Sequence, residues 1–317
     1  MSIRAGVDLG GTKIQTIIVD DDFEVLASAR RPTPTVGGPE AVAKEIIESV
    51  REAAGTAAVD LSALEGIGVG SPGEIDEATG TVSEARNIPG WEGSYPLSSV
   101  LGKALGSPVR LGNDVTVATT AEFTRGAARQ YDSLLGVFWG TGVGGGLILD
   151  GKPWFGRGGA GEIGHMVVEL DGAQCLCGRR GCMEAYAGRA AMEIRARELA
   201  DKGHETELFE LMAKRGRTRL TSGIWARALK RSDPLAEKLV GRAIAALGAG
   251  VASAVNLLDV EAVVIGGGLG DRLGQPYADR IAAAMQPHLF ADARPPAIVV
   301  SSLGDLGGAL GAAMLVG

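Results

Sequence analysis

Cysteine is scarce in this sequence. The 317 residues include three cysteines, and all of them lie within one stretch of eight residues, 175–182. An odd number of cysteines gathered at one place does not make a disulfide framework, and it fits a reducing compartment. We therefore expect folding to rest on buried cores, and the chain is long enough to form two domains.

Excess positive charge and leader-like segments are also lacking. The net charge is −7 and the pI is near 5.2, so there is no broad basic face for nucleic acid or anionic lipid. The first twelve residues carry neither a basic leader nor a long apolar run, so we expect no secretory signal. A long uncharged stretch, between Arg242 and Asp259, is short for a membrane span and predicts a buried helix. These features predict a soluble cytoplasmic protein that binds neither nucleic acid nor membrane.

Two common nucleotide-binding motifs are missing or out of context. No Walker A pattern occurs in the sequence. The pattern G-x-G-x-x-G occurs at 68–73, 140–145 and 156–161. None of the three has the strand–turn–helix context of a dinucleotide site, so we reject nicotinamide cofactors.

The cysteines have a histidine just upstream. One imidazole and three thiolates are a common four-coordinate ligand set for structural zinc. Two glycines within the segment allow the tight turns that let thiolates converge. The alternative is three unrelated buried thiols, which are common in protein cores. We favour a closed structural Zn²⁺ site with these ligands: His165, Cys175, Cys177 and Cys182.

Apolar runs and glycine-rich turns form a plan that occurs twice. The first copy joins predicted strands at 5–9 and 14–19, and the second joins strands at 134–139 and 147–149. We also predict a helix near 97–105, and helical patterns occur at 190–200 and 234–258. Alternating strands and helices predict an α/β protein with a duplicated domain plan, the second copy being interrupted by the metal segment.

Three glycine turns each follow a predicted buried strand, at 10–11, 140–146 and 266–268. Successive glycine amides can approach an anion closely and form a phosphate nest. Each turn could equally be a simple hairpin, because glycine is common in turns. The three turns together, with an acid at Asp8 and a hydroxyl at Thr12, favour a nucleotide.

The sequence resembles the ROK family (repressor, open reading frame, kinase) over essentially its full length, and most closely the bacterial members that phosphorylate glucose. The segments that carry this resemblance are Asp8–Lys13, Leu111–Asp114, Gly140–Gly146, Glu162–His165 and Cys175–Glu184. The resemblance implies the actin-like ATPase fold, in which two ribonuclease-H-like α/β lobes flank the active site. It also implies a small lobe of residues 1–115 plus 304–317 and a large lobe of residues 116–303, with a zinc knuckle at 165–182.

The resemblance also implies roles for individual residues. Asp114 becomes the general base that takes the proton from the sugar 6-hydroxyl, although Asn113 and Asp114 could serve only to cap the following helix. The implied sugar-binding residues are Gly73, Asn113, Asp114, Glu162, His165 and Glu184. The implied ATP-binding residues are Asp8, Gly10, Gly11, Thr12, Lys13, Gly140, Thr141, Gly142, Gly266, Gly267 and Gly268. Asp8 would hold Mg²⁺ through water, and His165 would face both zinc and sugar.

The implied activity is ATP-dependent phosphorylation of glucose at its 6-hydroxyl. Another hexose (N-acetylglucosamine, N-acetylmannosamine, mannose or fructose) and another donor such as polyphosphate remain open. A sugar-responsive regulator of the same family is disfavoured, because such proteins carry a DNA-binding module before the first phosphate strand, which here begins near residue 5. By the same resemblance we expect a homo-oligomer, dimer or tetramer. We also expect the glycine turns to lie far from the metal segment, so that metal loss affects sugar binding first.

Overall fold

The computed structural model describes residues 2–85 and 87–317. Its strands are β1 (Ile3–Leu9), β2 (Lys13–Val19), β3 (Val25–Pro32), β4 (Leu64–Ser71), β5 (Glu74–Asp76), β6 (Thr81–Ser83), β7 (Ser94–Tyr95), β8 (Val109–Asn113), β9 (Leu134–Trp139), β10 (Val143–Leu149), β11 (Lys152–Pro153), β12 (Ala262–Gly266) and β13 (Ala297–Val300). Its helices are α1 (Gly38–Thr56), α2 (Leu97–Leu105), α3 (Asp114–Thr124), α4 (Glu184–Ala187), α5 (Arg189–Asp201), α6 (Leu208–Ala213), α7 (Ser222–Lys230), α8 (Pro234–Leu258), α9 (Gly267–Leu273), α10 (Gln275–Met285) and α11 (Gly307–Ala313). This alternation is the α/β class that the sequence predicts.

The chain divides into two compact units. Unit 1 consists of Met1–Gly126, Pro153–Ala160 and Asp305–Gly317, and unit 2 consists of Ala127–Lys152 and Gly161–Gly304. The boundary that we placed at residue 115 falls inside helix α3. That helix belongs to unit 1, where it packs against α11 and β4.

Unit 1 is built on a five-stranded sheet with the order β3-β2-β1-β4-β8. The first three strands form an antiparallel meander, whereas β1, β4 and β8 run parallel. Side chains alternate between the two faces of a strand. In β1 the fully buried Ala5, Val7 and Leu9 join the apolar cluster that includes Val42 and Ile46 of α1.

The opposite face of this sheet carries α11 at very short range. A Cβ atom on Gly6 would lie 2.0 Å from the carbonyl oxygen of Ala309, and one on Gly68 would lie 1.7 Å from that of Ala312. Gly6 and Gly68 are paired across β1 and β4. The carboxy-terminal helix therefore needs glycine at both positions, because any side chain there would push it away from the sheet.

Unit 2 repeats this strand plan. Its sheet has the order β11-β10-β9-β12-β13, with β9 antiparallel to β10 and parallel to β12. In the same way, β1 of unit 1 is antiparallel to β2 and parallel to β4. The duplication predicted from the sequence is thus present in both sheets.

Several local predictions differ from the structure. The turn predicted at 140–146 is wrong beyond Gly142, because Gly144–Gly146 are part of β10 and pair with β9. Glycine fits this strand because a Cβ atom on Gly145 would lie 2.6 Å from the carbonyl oxygen of Gly161. The third glycine segment is not a free turn, because α9 begins at Gly267. Helices α6 and α7 and the small β5-β6-β7 sheet were not predicted.

The long apolar segment is the core helix α8 of unit 2. Asp233 caps it by accepting a 2.8 Å hydrogen bond from the amide of Ala236, and Pro234 occupies its first turn. It is long and apolar enough to cross a membrane by composition alone, but 67% of that window is buried inside the protein. Its packing against α4 and α10 confirms the predicted buried helix.

Candidate functional site

Unit 1 gathers polar residues at the carboxyl ends of neighbouring parallel strands. Asp8 of β1 pairs with Gly70 of β4, and Gly70 pairs with Gly112 of β8. Asn113 ends β8 and Asp114 begins α3. Because parallel strands end at the same edge of a sheet, Asp8, Asn113 and Asp114 share one edge, where α/β proteins commonly bind ligands.

Asp8 has a confined carboxylate. A Cβ atom on Gly308 would lie 2.8 Å from its carboxyl carbon. Burial raises the pKa of Asp8 to about 6, although nearby Lys13 lowers it, and Asp305 raises it further. The ammonium group of Lys13 lies 2.8 Å from Asp305, which also contacts Arg30 at 3.2 Å. Lys13, which lowers the pKa of Asp8, is thus shared with Asp305. A buried carboxylate oxygen of this kind fits a hydrated Mg²⁺ ion.

The first glycine hairpin lies directly after Asp8. The amide of Gly10 donates a 2.9 Å hydrogen bond to the carbonyl of Lys13, which closes the turn. Gly11 has no room for a side chain, because a Cβ atom would lie 2.6 Å from the carbonyl oxygen of Asn87. Thr12 is exposed at the tip. The turn can thus present its amides and one hydroxyl group to an anion.

Asn113 and Asp114 form the start of helix α3. The Oδ1 atom of Asn113 accepts hydrogen bonds from the amides of Val115 and Thr116, both at 3.1 Å. The capping alternative is therefore confirmed for Asn113, and its amide nitrogen remains as a donor for a ligand. Asp114 is half-buried, and its Oδ1 atom lies 2.9 Å from the amide of Val115. A carboxylate in this position suits the positive end of the helix dipole.

Gly73 links β4 to β5 in a left-handed conformation. Its φ is +93°, and a Cβ atom would lie 2.4 Å from the carbonyl oxygen of Ser83. Only glycine fits both constraints. The role of its backbone toward a sugar stays a prediction.

Unit 2 brings the predicted metal ligands together. One ligand atom from each of His165, Cys175, Cys177 and Cys182 lies within 4.8 Å of all the others. The Sγ atoms of Cys177 and Cys182 are 3.7 Å apart, and Cys175 Sγ is 3.9 Å from His165 Nδ1. Tetrahedral zinc with bonds of about 2.3 Å to sulfur separates two thiolates by about 3.8 Å. The donor set and its spacing therefore fit zinc.

Burial and hydrogen bonds determine the pKa values of these three thiols. Burial raises the pKa of Cys175 to about 12 and also raises that of Cys182. Burial opposes ionisation of Cys177 as well, but hydrogen bonds from the amide of Arg179 and from the neighbouring thiols outweigh it and lower its pKa to about 7. Gly181 is left-handed at φ +79°, and a Cβ atom there would lie 1.8 Å from the carbonyl oxygen of Glu169. The turn before Cys182 thus requires glycine.

Two carboxylates adjoin the metal cluster. Glu162 Oε2 lies 3.9 Å from His165 Nε2, the ring nitrogen that does not face Cys175. Glu184 Oε1 lies 3.9 Å from Cys175 Sγ, and its Oε2 accepts a 2.9 Å hydrogen bond from the amide of Val143. Glu184 therefore connects the metal cluster to the second glycine hairpin.

This connection corrects the expected distance between the metal segment and the second glycine turn. A Cβ atom on Gly142 would lie 2.1 Å from Glu184 Oε2, so the hairpin packs directly on this carboxylate. Sequence separation, with Gly142 and Glu184 more than forty residues apart, gave no sign of it. Metal loss is therefore expected to disturb this hairpin as well.

The second and third glycine segments lie side by side in unit 2. A Cβ atom on Gly140 would lie 3.9 Å from the amide nitrogen of Gly268, and one on Gly267 would lie 2.9 Å from the backbone of Trp139. They meet because β9 and β12 run parallel, with Gly266 paired to Phe138. The two segments thus place their backbones side by side, with Gly140 partly exposed and Gly268 exposed, and this arrangement could accept a phosphate.

Sequence reasoning missed two charged residues beside the glycine hairpins. Asp305 contacts Lys13 across 292 positions of the chain. Arg189 donates a 2.7 Å hydrogen bond to Thr141 Oγ1 across 48 positions. Neither residue belongs to a local pattern, so only the fold reveals them.

The chain is similar in sequence and in structure to known sugar kinases. Residues 4–317 match the family model described as the ROK family. The chain is 33% identical over 315 residues to a glucokinase of Thermotoga maritima, covering 98% of this chain and 96% of that protein. It is 29% identical over 322 residues to an N-acetyl-D-glucosamine kinase of Haemophilus influenzae, covering 98% of each. The crystal structure of a ROK family glucokinase from Streptomyces griseus in complex with glucose and AMPPNP superposes with a TM-score of 0.86 at 32% identity, over 99% of each chain.

Proposed function

The chain belongs to the ROK family and is a sugar kinase with the actin-like ATPase fold, and from this premise we propose that it phosphorylates glucose with ATP. The product is glucose 6-phosphate. Support for glucose comes from the glucokinases among its relatives, one of which binds glucose and AMPPNP. Support for the chemistry comes from one observation above all, the placement of Asp114.

Asp114 acts as the general base in this proposal. Its carboxylate stands at the start of α3, on the same sheet edge as Asp8. Phosphoryl transfer needs a group that orients the attacking hydroxyl and accepts its proton, and a carboxylate held by a helix start can do both. The hydrogen bonds of Asn113 fix the backbone from which Asp114 projects.

The nucleotide is assigned to the glycine hairpins and their flanking residues. In unit 1 the assigned residues are Asp8, Gly10, Gly11, Thr12 and Lys13. In unit 2 they are Gly140, Thr141, Gly142, Gly266, Gly267 and Gly268. Mg²⁺, when bound with ATP, neutralises charge on the phosphates. Asp8 is the group that would hold it, because its carboxylate is buried and the ammonium group of Lys13 is shared with Asp305.

The sugar is assigned to residues that offer several donors and acceptors in fixed positions. In unit 1 these are Gly73, Asn113 and Asp114, with Asn113 donating through its amide nitrogen. In unit 2 they are Glu162, His165 and Glu184. Zinc on the cluster would hold His165 through Nδ1, so its Nε2 atom, which faces Glu162, remains for a hydroxyl group.

The closed ligand set makes the metal structural in this proposal. Three thiolates and one imidazole complete a tetrahedral shell and leave no open position for substrate. The metal would therefore fix the positions of His165 and Glu184 without taking part in the chemistry.

A second candidate differs only in the sugar. The similarity to an N-acetyl-D-glucosamine kinase at 29% identity favours a hexose with a larger group at the 2-position. Both candidates use the same base and the same donor. They differ in the kcat/KM ratio between the two sugars, which reports differential binding in the transition state.

The test is a coupled ADP-release assay across a panel of hexoses. We expect the highest kcat/KM for glucose, with ATP as donor and Mg²⁺ required. Polyphosphate in place of ATP, with formation of the sugar 6-phosphate measured directly because no ADP is released, serves as the donor control. A higher kcat/KM for N-acetylglucosamine would replace the first candidate by the second, and no ADP release with any hexose would overturn both.

A further inference from the structure

Arg189 joins helix α5 to the second glycine hairpin through its backbone. Its amide donates a 3.1 Å hydrogen bond to the carbonyl of Gly140, and the amide of Ala190 donates a 3.0 Å hydrogen bond to that of Thr141. These two bonds do not involve the Arg189 side chain. A substitution at this position therefore leaves the backbone connection in place.

The guanidinium group of Arg189 makes additional contacts with neutral partners. It donates a 2.7 Å hydrogen bond to Thr141 Oγ1 and a second, also 2.7 Å, to the carbonyl of Leu220. Its Nε atom is buried and has no hydrogen-bond partner. Among residues 2–85 and 87–317, none of the ion pairs involves Arg189. It is thus a half-buried cation without a neutralising carboxylate in contact.

Such a charge is unfavourable unless an anion joins it. Burial lowers the pKa of Arg189, and the like charge of Arg219 lowers it further, while Glu193 only partly offsets them. Glu193 itself is engaged by Arg197 at 2.8 Å and by Arg219 at 3.0 Å. Buried charges in proteins are normally paired, so this one indicates a missing negative partner.

The contact with Thr141 also determines what that hydroxyl group can do. A hydroxyl has one proton to donate and lone pairs to accept. Because Arg189 donates to Thr141 Oγ1, the threonine proton is directed elsewhere, and the side chain is exposed at the hairpin tip. The amide of Gly268 lies near Gly140 of the same hairpin. A phosphate oxygen at this hairpin would accept a hydrogen bond from the Thr141 hydroxyl group. The positive charge of Arg189 nearby would stabilise the phosphate.

We propose that Arg189 is a positioning residue of the nucleotide site, which orients the Thr141 hydroxyl toward a phosphate of ATP and supplies the charge that this phosphate neutralises. The proposal rests on the proposed function, because it takes ATP as the ligand. It goes further by assigning a residue outside every motif of the sequence. The alternative is a purely structural clamp that holds α5 to the hairpin and to Leu220.

The test compares side-chain variants that keep the backbone contacts. Arg189→Met should raise the KM for ATP by about 10- to 100-fold, because the phosphate loses a nearby cation and the oriented hydroxyl of Thr141; one hydrogen bond to a charged group is worth a comparable amount. The kcat and the sugar KM should change little, because the interaction is made with bound and reacting nucleotide alike. Arg189→Lys, which keeps the charge but not the planar fork, should lie between Met and wild type. Arg195→Met is the matched control on the same helix, where exposed Arg195 pairs with exposed Glu198.

A double-mutant cycle tests whether Arg189 acts through Thr141. Thr141→Val removes the hydroxyl at nearly constant shape, and Thr141→Ser keeps it. The effect of Arg189→Met on the ATP KM should be smaller in the Thr141→Val background than in wild type, because the orienting contact is already gone. Additive effects would show that Arg189 does not act through this hydroxyl and would overturn the proposal.

Calorimetry with Mg²⁺ and a non-hydrolysable ATP analogue separates this proposal from the proposed function. Weaker analogue binding by Arg189→Met than by wild type, at equal melting temperature, supports the inference whichever sugar is phosphorylated. An unchanged analogue affinity, in a protein that phosphorylates glucose, overturns the role of Arg189 and leaves the function standing. A wild-type protein that binds no ATP analogue would overturn both.

Discussion

The two glycine hairpins occupy equivalent places in the two sheets but carry different groups. In unit 1 the hairpin follows Asp8 of β1 and leads into Lys13 of β2, so its charges lie on the strands themselves. In unit 2 the equivalent hairpin joins Trp139 to Val143 and has no charged residue of its own. There the polar contacts come from other elements.

Those elements are the metal segment and helix α5. Glu184 accepts a hydrogen bond from Val143, and Arg189 donates one to Thr141. Duplication thus gave two similar backbones, and each acquired its polar groups by a different route. The first hairpin is flanked in sequence by its own charged residues, Asp8 and Lys13, to which packing adds Asp305. The second hairpin receives its charged contacts from tertiary packing. It follows that unit 1 should tolerate metal loss, while unit 2 should not.

The largest effect is expected on kcat when the proposed general base of unit 1, Asp114, is replaced. Asp114→Asn should lower kcat by about 10²–10⁴-fold, because the general base is lost. Binding of an ATP analogue should persist, since both hairpins are unchanged. Turnover in the coupled assay and calorimetry with the analogue check this expectation. The matched control is Glu77→Gln, an exposed carboxylate of the same unit. A kcat within a few-fold of wild type would show that Asp114 is not the base.

Loss of the metal should distinguish the two units. Cys177→Ser should remove the one zinc expected per chain. It should also raise the sugar KM by about 10- to 100-fold, because His165 and Glu184 would no longer be held in place by the metal. A smaller rise in the ATP KM should accompany it, since Glu184 also holds Val143. Elemental analysis and steady-state kinetics measure both effects.

The control for this variant is Leu176→Ser, which changes an exposed side chain between two metal ligands. It should keep its zinc and its kinetics. If Cys177→Ser loses metal but keeps wild-type KM values for sugar and ATP, the cluster supports neither site.

The smallest effect is expected on the thermal stability of the protein when Asp8 is replaced. Its folded pKa is raised to about 6 from the ordinary 3.8, so ionisation destabilises the folded state as pH rises between these values. Asp8→Asn should therefore melt at a higher temperature than wild type at pH 7.5, and the difference should shrink as the pH falls below about 6. Thermal melts across this range measure it. Mg²⁺ with ATP should stabilise wild type more than the variant. A difference in melting temperature that does not depend on pH would show that ionisation of Asp8 is not its cause.

Much of the fold could be predicted because its signals are local. Helices α2 and α8 begin and end where the sequence predicts, since apolar periodicity runs through both. Strand β9 is also bounded as predicted. The predicted metal ligands lie together because their spacing is a local feature.

The rest depends on contacts that a linear pattern does not contain. A run of glycines in a sequence predicts a turn, yet Gly145 lies in strand β10. Glycine is needed there because the backbone at Gly161 passes too close for a side chain. Arg189 and Asp305 have no neighbouring motif, and their partners lie 48 and 292 positions away. The prediction that the second glycine turn lies far from the metal segment was wrong for the same reason.

The most direct test of the central claim is ³¹P NMR of the protein with ATP, Mg²⁺ and glucose. We expect the γ-phosphate resonance of ATP to be replaced by equal amounts of ADP and a sugar 6-phosphate, with no inorganic phosphate. Asp114→Asn should leave ATP intact over the same time. Unchanged ATP with the wild-type protein, or ADP formed together with inorganic phosphate alone, would contradict the assignment as a glucose kinase.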